Sequence, residues 1–472
     1  MNIDFNLKIL SFNHRITMSK RNFQYAVGVI TMLAATAAAF WGSLKMYMLV
    51  TAAVAGLLVM LVLMRHLAVG YFMLLLGGIF VPFSGPGGIN ITMIMLILMV
   101  FIWVMDMFIV KRRFEFIRSG PVRPTLYFMV VCVAAFLMGQ VLWYVTSVQA
   151  PLDTQAGGFA IYFFSLAALV MTANIIKDIR WLKTFVWLFV GLGAVYVFAR
   201  VLNISEIDNY YERGYTANSM LWVWLVAIPA AQVIYNPKLS RWKRAALAFV
   251  VFITMYVAII QLRDWKSGWV PPLIVIAVLV GLRYPKLAIT SIPFAAIGFI
   301  IFAQRQISSE GWSWGTRLDA WRIVLEVSRV NPVLGLGFAN YYWYVTLFNI
   351  RGYYVQFNSH SQYVDLIAQT GIVGLICFIW IMVEIGRLAW SLMQRLPDGF
   401  ARGYAYGVFA GLVGVLAAAF LVDWVLPFAY NIGLTGFRAS ILPWIFFGGL
   451  ISIEQIYSTN VIKDQERARL KG

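Results

Sequence analysis

Runs of about 20 apolar residues, broken by short polar turns, recur along most of the chain. A run of that length crosses a ~30 Å hydrocarbon layer as an α-helix. The runs lack the polar–apolar alternation that strands of a membrane β-barrel require. They predict helices near 23–42, 44–64, 67–82, 90–110, 124–146, 158–176, 184–203, 217–235, 245–262, 269–282, 287–303, 362–386, 403–424 and 438–456. That is about fourteen spans; two are short, so twelve or thirteen also fit. One segment, 304–361, departs from the pattern: it is polar, aromatic and charged. The predicted fold is therefore all-α and integral to the membrane, a polytopic bundle of about 12–14 transmembrane helices with one large outer loop.

Charge orients the bundle. With the N-terminal side inside, every inside segment is basic: Arg65; Lys111, Arg112, Arg113, Arg118 and Arg123; Lys177, Arg180 and Lys183; Lys238, Arg241, Lys243 and Arg244; Arg283 and Lys286; Arg387, Arg395 and Arg402; and Lys463, Arg467, Arg469 and Lys471. With Lys8, Arg15, Lys20 and Arg21, this is roughly 26 of the 37 basic residues, the positive-inside bias. The expected organisation is a basic cytoplasmic tail at 1–22, transmembrane helices over 23–303, the outer loop at 304–361, further transmembrane helices over 362–456 and a cytoplasmic tail at 457–472. Residues 1–22 lack the short apolar core and small-residue site of a cleaved signal peptide. Arg213, Arg263, Lys266, Arg305, Arg317, Arg322, Arg329 and Arg351 fall on the outer face or its rim, against the insertion bias.

Composition agrees. The chain is 62% hydrophobic and 12% charged, with a mean hydropathy of +0.80. The net charge of +18 follows from the inside loops facing anionic lipid, which removes the reason to invoke nucleic acid. Cys132 and Cys377 both fall within predicted spans and suggest neither a disulfide nor a metal site.

The outer loop carries the candidate chemistry. Leu318, Trp321 and Leu325 recur at helical spacing, and Arg322, Glu326 and Arg329 share another face. They predict an amphipathic helix over about 316–330 lying on the membrane surface, ended by Asn331-Pro332. Gly335 and Gly337 allow a tight turn or close approach to a ligand, but no strand precedes them, so they are no dinucleotide fingerprint. Tyr341, Tyr342, Trp343, Tyr344, Tyr353 and Tyr354 admit two readings, an interfacial belt or a surface for sugars and lipid tails. Ser359 and Gln362 have capping-box spacing, which places His360 in the first turn of the next helix. There the helix end favours an anion and a neutral imidazole able to accept a proton. A solvated histidine at a helix start is the alternative.

The stretch 315–376 resembles the O-antigen ligase and polymerase superfamily. The resemblance rests on Arg317, Trp321, Asn331-Pro332-Val333-Leu334-Gly335-Leu336-Gly337, Asn340, His360 and Gly371-Ile372-Val373-Gly374, in that order. Arg213 with Asn218 looks like the family's Arg-then-Asn segment. Gln261-Leu262-Arg263 is similar to its Ser-Arg segment, with Leu262 in place of the serine.

This resemblance implies a metal-independent, inverting glycosyltransferase without cofactor, in the cytoplasmic (inner) membrane; the charge alternation places both termini in the cytoplasm. The donor would be a glycan on undecaprenyl diphosphate, at the periplasmic or extracellular side. The acceptor would be a hydroxyl of another lipid-linked glycan, of lipid A–core or of a protein. Arg213 and Arg263 would clamp the diphosphate and His360 would serve the acceptor. Arg317, Lys266, Asn340, Gly335 and Gly337 would contact substrate. Guanidinium groups suit this task, because they stay charged and grip phosphate oxygens in a fork. The outer loops hold no Asp-x-Asp cluster for a metal. A transporter or flippase for a lipid-linked or anionic substrate is the rival reading. It would place charge pairs at mid-membrane depth.

Overall fold

A chain crossing hydrocarbon must satisfy its backbone internally, and it does so here with helices. The structure, a computed structural model, describes residues 44–290 and 311–469. No strand occurs among the described residues. Eight of their helices are long and apolar enough to cross a membrane, and four shorter apolar helices accompany them. The predicted span 23–42 and most of 287–303 lie outside the described residues.

The chain divides into two compact units. The first, Met1–Arg65, contains α1 (Leu44–Arg65), an apolar helix ending on a basic residue. The second runs from His66 to Gly472. Its longer helices are α2 (Gly70–Phe80), α3 (Ile91–Met105), α4 (Val122–Met138), α5 (Leu152–Ile175), α6 (Ile179–Val201), α7 (Ser219–Tyr235), α8 (Arg241–Tyr256), α9 (Lys266–Arg283), α10 (Gly311–Val327), α11 (Gln362–Arg395), α12 (Phe400–Leu421) and α13 (Gly433–Arg469).

The core of the second unit is built on α7 and α13. Every residue of α7 from Ser219 to Gln232 is buried. α7 packs on α12 and α9, and α13 packs on α5. Close packing between these helices depends on small residues, as in membrane bundles generally. A Cβ at Gly411 would overlap the Trp224 ring, one at Gly414 would meet Val275, and one at Gly448 would meet the Leu169 carbonyl.

Contacts sort the loops into two ends. At one end Gln232 donates to the Phe400 carbonyl and Ser119 to Glu454. At the other, Asn218 donates to the Gly436 carbonyl, Ser147 to Trp343 and Asn358 to Asp423. The loops assigned outside from charge alone thus meet at one end.

The long helix α11 is broken. Gly371 has φ +68° and ψ −175°, which interrupts the ladder inside a helix long and apolar enough to span. The segment Pro332–Leu336 repairs it. Ile372 N–H donates to the Pro332 carbonyl (2.9 Å), Val373 N–H to Val333 (3.3 Å), and Leu336 N–H to the Ala368 carbonyl (2.8 Å). Unpaired backbone groups are tolerated inside a membrane only when protein re-satisfies them. A Cβ at Gly335 would come within 2.6 Å of the Gly371 nitrogen, and one at Gly371 would overlap the Val333 carbonyl. The two glycines let the two backbones touch.

α10 overlaps the helix expected over about 316–330. Its buried face is Ala320, Val324 and Val327, whereas Leu318 and Leu325 point outward. The Arg329–Glu326 pair forms as the spacing predicts, at 2.9 Å and largely exposed. Tyr341 and Tyr344 are fully buried rather than in an interfacial belt, while Tyr353 and Tyr354 are exposed.

Replacing Gly371 by Ala should cost about 2 kcal/mol or more, from a left-handed backbone and an overlap with Val333. Ala at Gly191, which has open space around it, is the control and should leave the thermal melt in detergent unchanged.

Candidate functional site

His360 lines a cavity of about 330 Å³ with Thr316, Arg317, Ala320, Ile350, Phe357 and Asn358. α10 supplies one wall, and the strand-like approach to α11 supplies the other. Trp321 joins the two, donating its indole N–H to the Ser359 carbonyl at 2.7 Å. Beneath the histidine, Asp365 Oδ1 accepts from the Tyr341 hydroxyl (2.6 Å) and from the Ser359 hydroxyl (2.7 Å). All three residues are buried.

The capping-box expectation fails. α11 begins at Gln362, and its N-cap is Ser361, with no side-chain cap. Ser359 turns inward and its hydroxyl accepts from Ser361 N–H instead (3.0 Å). Gln362 reaches Leu426 and Tyr162, not the cap. His360 therefore stands before the helix, with φ +50°. A non-glycine residue in this left-handed region is uncommon and is held there by its surroundings. The expectation of a neutral imidazole stands on another cause. Burial first, and then the Arg317 guanidinium, bring the His360 pKa down to about 4.

A second cavity, of about 790 Å³, contains Arg213. Its wall includes Arg200, Asp208, Glu212, Leu262, Trp265 and Trp424. Arg213 opens the short helix Arg213–Thr216 between α6 and α7. A π-helical turn, Val257–Gln261, ends α8 and delivers Leu262 and Trp265 to the same wall. Irregular turns of this kind often accompany functional sites. Arg263 itself is not among the residues lining this cavity: its side chain is 80% exposed, with a loose contact of 3.8 Å to Asp264.

The segment after α12 bridges the two cavities. Arg317 donates to the Leu421 carbonyl at 3.0 Å. Asp423 accepts from Asn358 (3.2 Å) and Asn431 (2.6 Å). Trp424, the next residue, lines the Arg213 cavity and lies 5.7 Å from Trp265, ring centre to ring centre. Burial pushes the Asp423 carboxyl up to about 6, against its amide hydrogen bonds and Arg317.

The structure thus brings Arg317 together with His360, and Arg213 together with the neighbours of Arg263. Lys266 opens α9, half-buried. Asn340 is buried; its amide donates to the Gly139 and Leu336 carbonyls and accepts from Ala150 N–H. Gly335 approaches α11 at its break, and a Cβ on Gly337 would strike Gly139. These three meet protein backbone and set the loop in place. Arg200, Asp365 and Asp423 were missed as site residues. Arg200 ends an apolar run, where an arginine reaching toward the interface is ordinary. Only the pairing with residues distant in sequence reveals the two aspartates.

Fold and site describe a polytopic membrane protein in which one cavity holds two arginines and another holds a histidine. Residues 239–379 match the family model described as O-antigen ligase. That match covers Arg263, Arg317, Trp321 and His360, though not Arg213, and overlaps the stretch 315–376 whose ordered motif resembles the same family. None of the curated proteins compared matches the chain.

His360 should stay neutral until pH falls to about 4, as a histidine-selective NMR titration would report. A midpoint near the ordinary value of about 6.5 would contradict its burial. The sign for stability follows from the lowered pKa. The unfolded chain binds the proton first, so His360 reduces stability as pH falls from about 6.5 toward about 4.

Proposed function

We propose that the chain is an inverting glycosyltransferase of the lipid-linked type. It takes a glycan from undecaprenyl diphosphate and joins it to an acceptor hydroxyl, on the outer leaflet of the cytoplasmic membrane. The observation that carries this reading is the strap Leu421–Trp424. One side of it fixes Arg317 and Asn358 beside His360, and the other lines the Arg213 cavity. Acceptor chemistry and leaving-group binding then sit on either side of one short segment.

The lipid diphosphate enters the larger cavity and meets Arg213, with Arg263 at the mouth. The sugar next to it faces the Trp265 and Trp424 rings, which suit a pyranose face. The acceptor hydroxyl approaches through the His360 cavity. Its oxygen attacks the anomeric carbon opposite the phosphate, the C–O bond to phosphate breaks, and the hydroxyl proton passes to His360. Undecaprenyl diphosphate leaves with the bonding electrons, stabilised by guanidinium groups whose fixed geometry needs no reorganisation. Arg317 orders the strap and the His360 loop together.

Purified protein in detergent, supplied with an undecaprenyl-diphosphate-linked repeat unit, provides the test. A ladder of products without further acceptor identifies a polymerase, and a shift only when lipid A–core is added identifies a ligase. His360→Ala should lower turnover by at least ~100-fold while donor still binds. Normal turnover in that variant would reject the histidine's role. No donor consumption by folded wild type with either acceptor would favour transport. Arg213→Lys should weaken turnover about tenfold or more, because an ammonium lacks the fork.

A further inference from the structure

Arg200, in the last turn of α6, lines the cavity that holds Arg213. It also lines an adjoining cavity of about 460 Å³, with Asn203, Ser205, Asp208 and Gln261. Its guanidinium is half-buried and makes one ion pair, Nη1 to Asp208 Oδ2 at 3.1 Å. Its Nε is buried with no hydrogen-bond partner. A buried guanidinium donor left empty is costly unless an acceptor arrives. Asp208 closes the short helix Ser205–Asp208, and its carboxylate faces the same two cavities.

We infer that Arg200 is a specificity residue that contacts the second phosphate of the lipid carrier, with Asp208 holding its Nη1 until the ligand displaces it. The inference rests on the proposed lipid-diphosphate donor. Two guanidiniums in one cavity match two linked phosphates better than one. A lipid monophosphate satisfies Arg213 alone, and Arg200 then keeps Asp208. A lipid diphosphate reaches both and takes the Arg200 guanidinium from Asp208. Arg200 thereby sorts the diphosphate carrier from the monophosphate carrier, the form left after phosphate hydrolysis.

Trp265 and Trp424 in the cavity wall report occupancy by fluorescence. Undecaprenyl diphosphate and undecaprenyl monophosphate are each titrated into detergent-solubilised wild type, Arg200→Gln, Arg200→Lys and Asp208→Asn, with thermal melts confirming the fold. Wild type should bind the diphosphate about tenfold or more tightly than the monophosphate. Arg200→Gln should lose that preference through weaker diphosphate binding alone, and Arg200→Lys should retain only part of it. Asp208→Asn should bind the diphosphate at least as tightly as wild type, since a competing carboxylate is gone. Unchanged selectivity in both Arg200 variants would overturn the inference while leaving the donor reading intact. So would Asp208→Asn weakening binding in parallel with Arg200→Gln, the signature of a structural pair. Failure of wild type to bind either lipid would overturn the donor reading and this inference with it.

Discussion

The site depends on a repaired break. α11 is interrupted at Gly371, and the backbone of Pro332–Leu336 supplies the missing partners. Without the break, the helix would close its own ladder and offer the preceding loop nothing to hold. With it, about forty residues of loop and surface helix are tied to the bundle by main-chain hydrogen bonds, which no side-chain substitution supplies. Gly335 and Gly371 allow the contact because any side chain would separate the backbones. The polar loop therefore becomes an ordered wall, and α10 is carried over the start of α11.

Once the loop is anchored, a few side chains set the chemistry. Trp321 fixes Ser359, and Ser359 with Tyr341 and Asp365 holds His360 in a left-handed conformation beside Arg317. The same Arg317 takes the Leu421 carbonyl, so the strap after α12 is positioned by the loop it faces. Burial keeps the imidazole neutral and brings the Asp423 carboxyl up to about 6. The larger cavity differs in kind: two arginines, two acids and two tryptophans, half open to the bundle's end.

The sequence discloses those parts that hydrocarbon dictates. Spans such as 44–64, 184–203 and 245–262 reappear as α1, α6 and α8 with its π turn, because an apolar run must form a helix in the membrane. Helix ends were less legible. The span read as 124–146 stops at Met138, since Gly139 lies under Gly337 and Asn340 pins the turn that follows. Of the ordered motif, Arg317 and His360 share a cavity, whereas other members meet protein backbone. Asn331–Asn340 binds protein backbone, and the Ser359–Gln362 spacing imitated a cap that tertiary contacts divert. Arg213 was found from its outside position, while Arg200 shares the same cavity and gave no local signal.

In the proposed function, a donor on a lipid carrier and an acceptor hydroxyl meet across the strap after α12, and fixed positive charge helps to release the carrier lipid. The arrangement makes a spatial claim that a bound structure tests most directly. A cryo-electron microscopy map of the protein with undecaprenyl diphosphate should show the diphosphate in the cavity of Arg213, beside Trp424 and across the strap from His360. Density for the headgroup at mid-membrane depth between the helices, away from both cavities, would contradict a transferase of this kind and describe a carrier pathway instead.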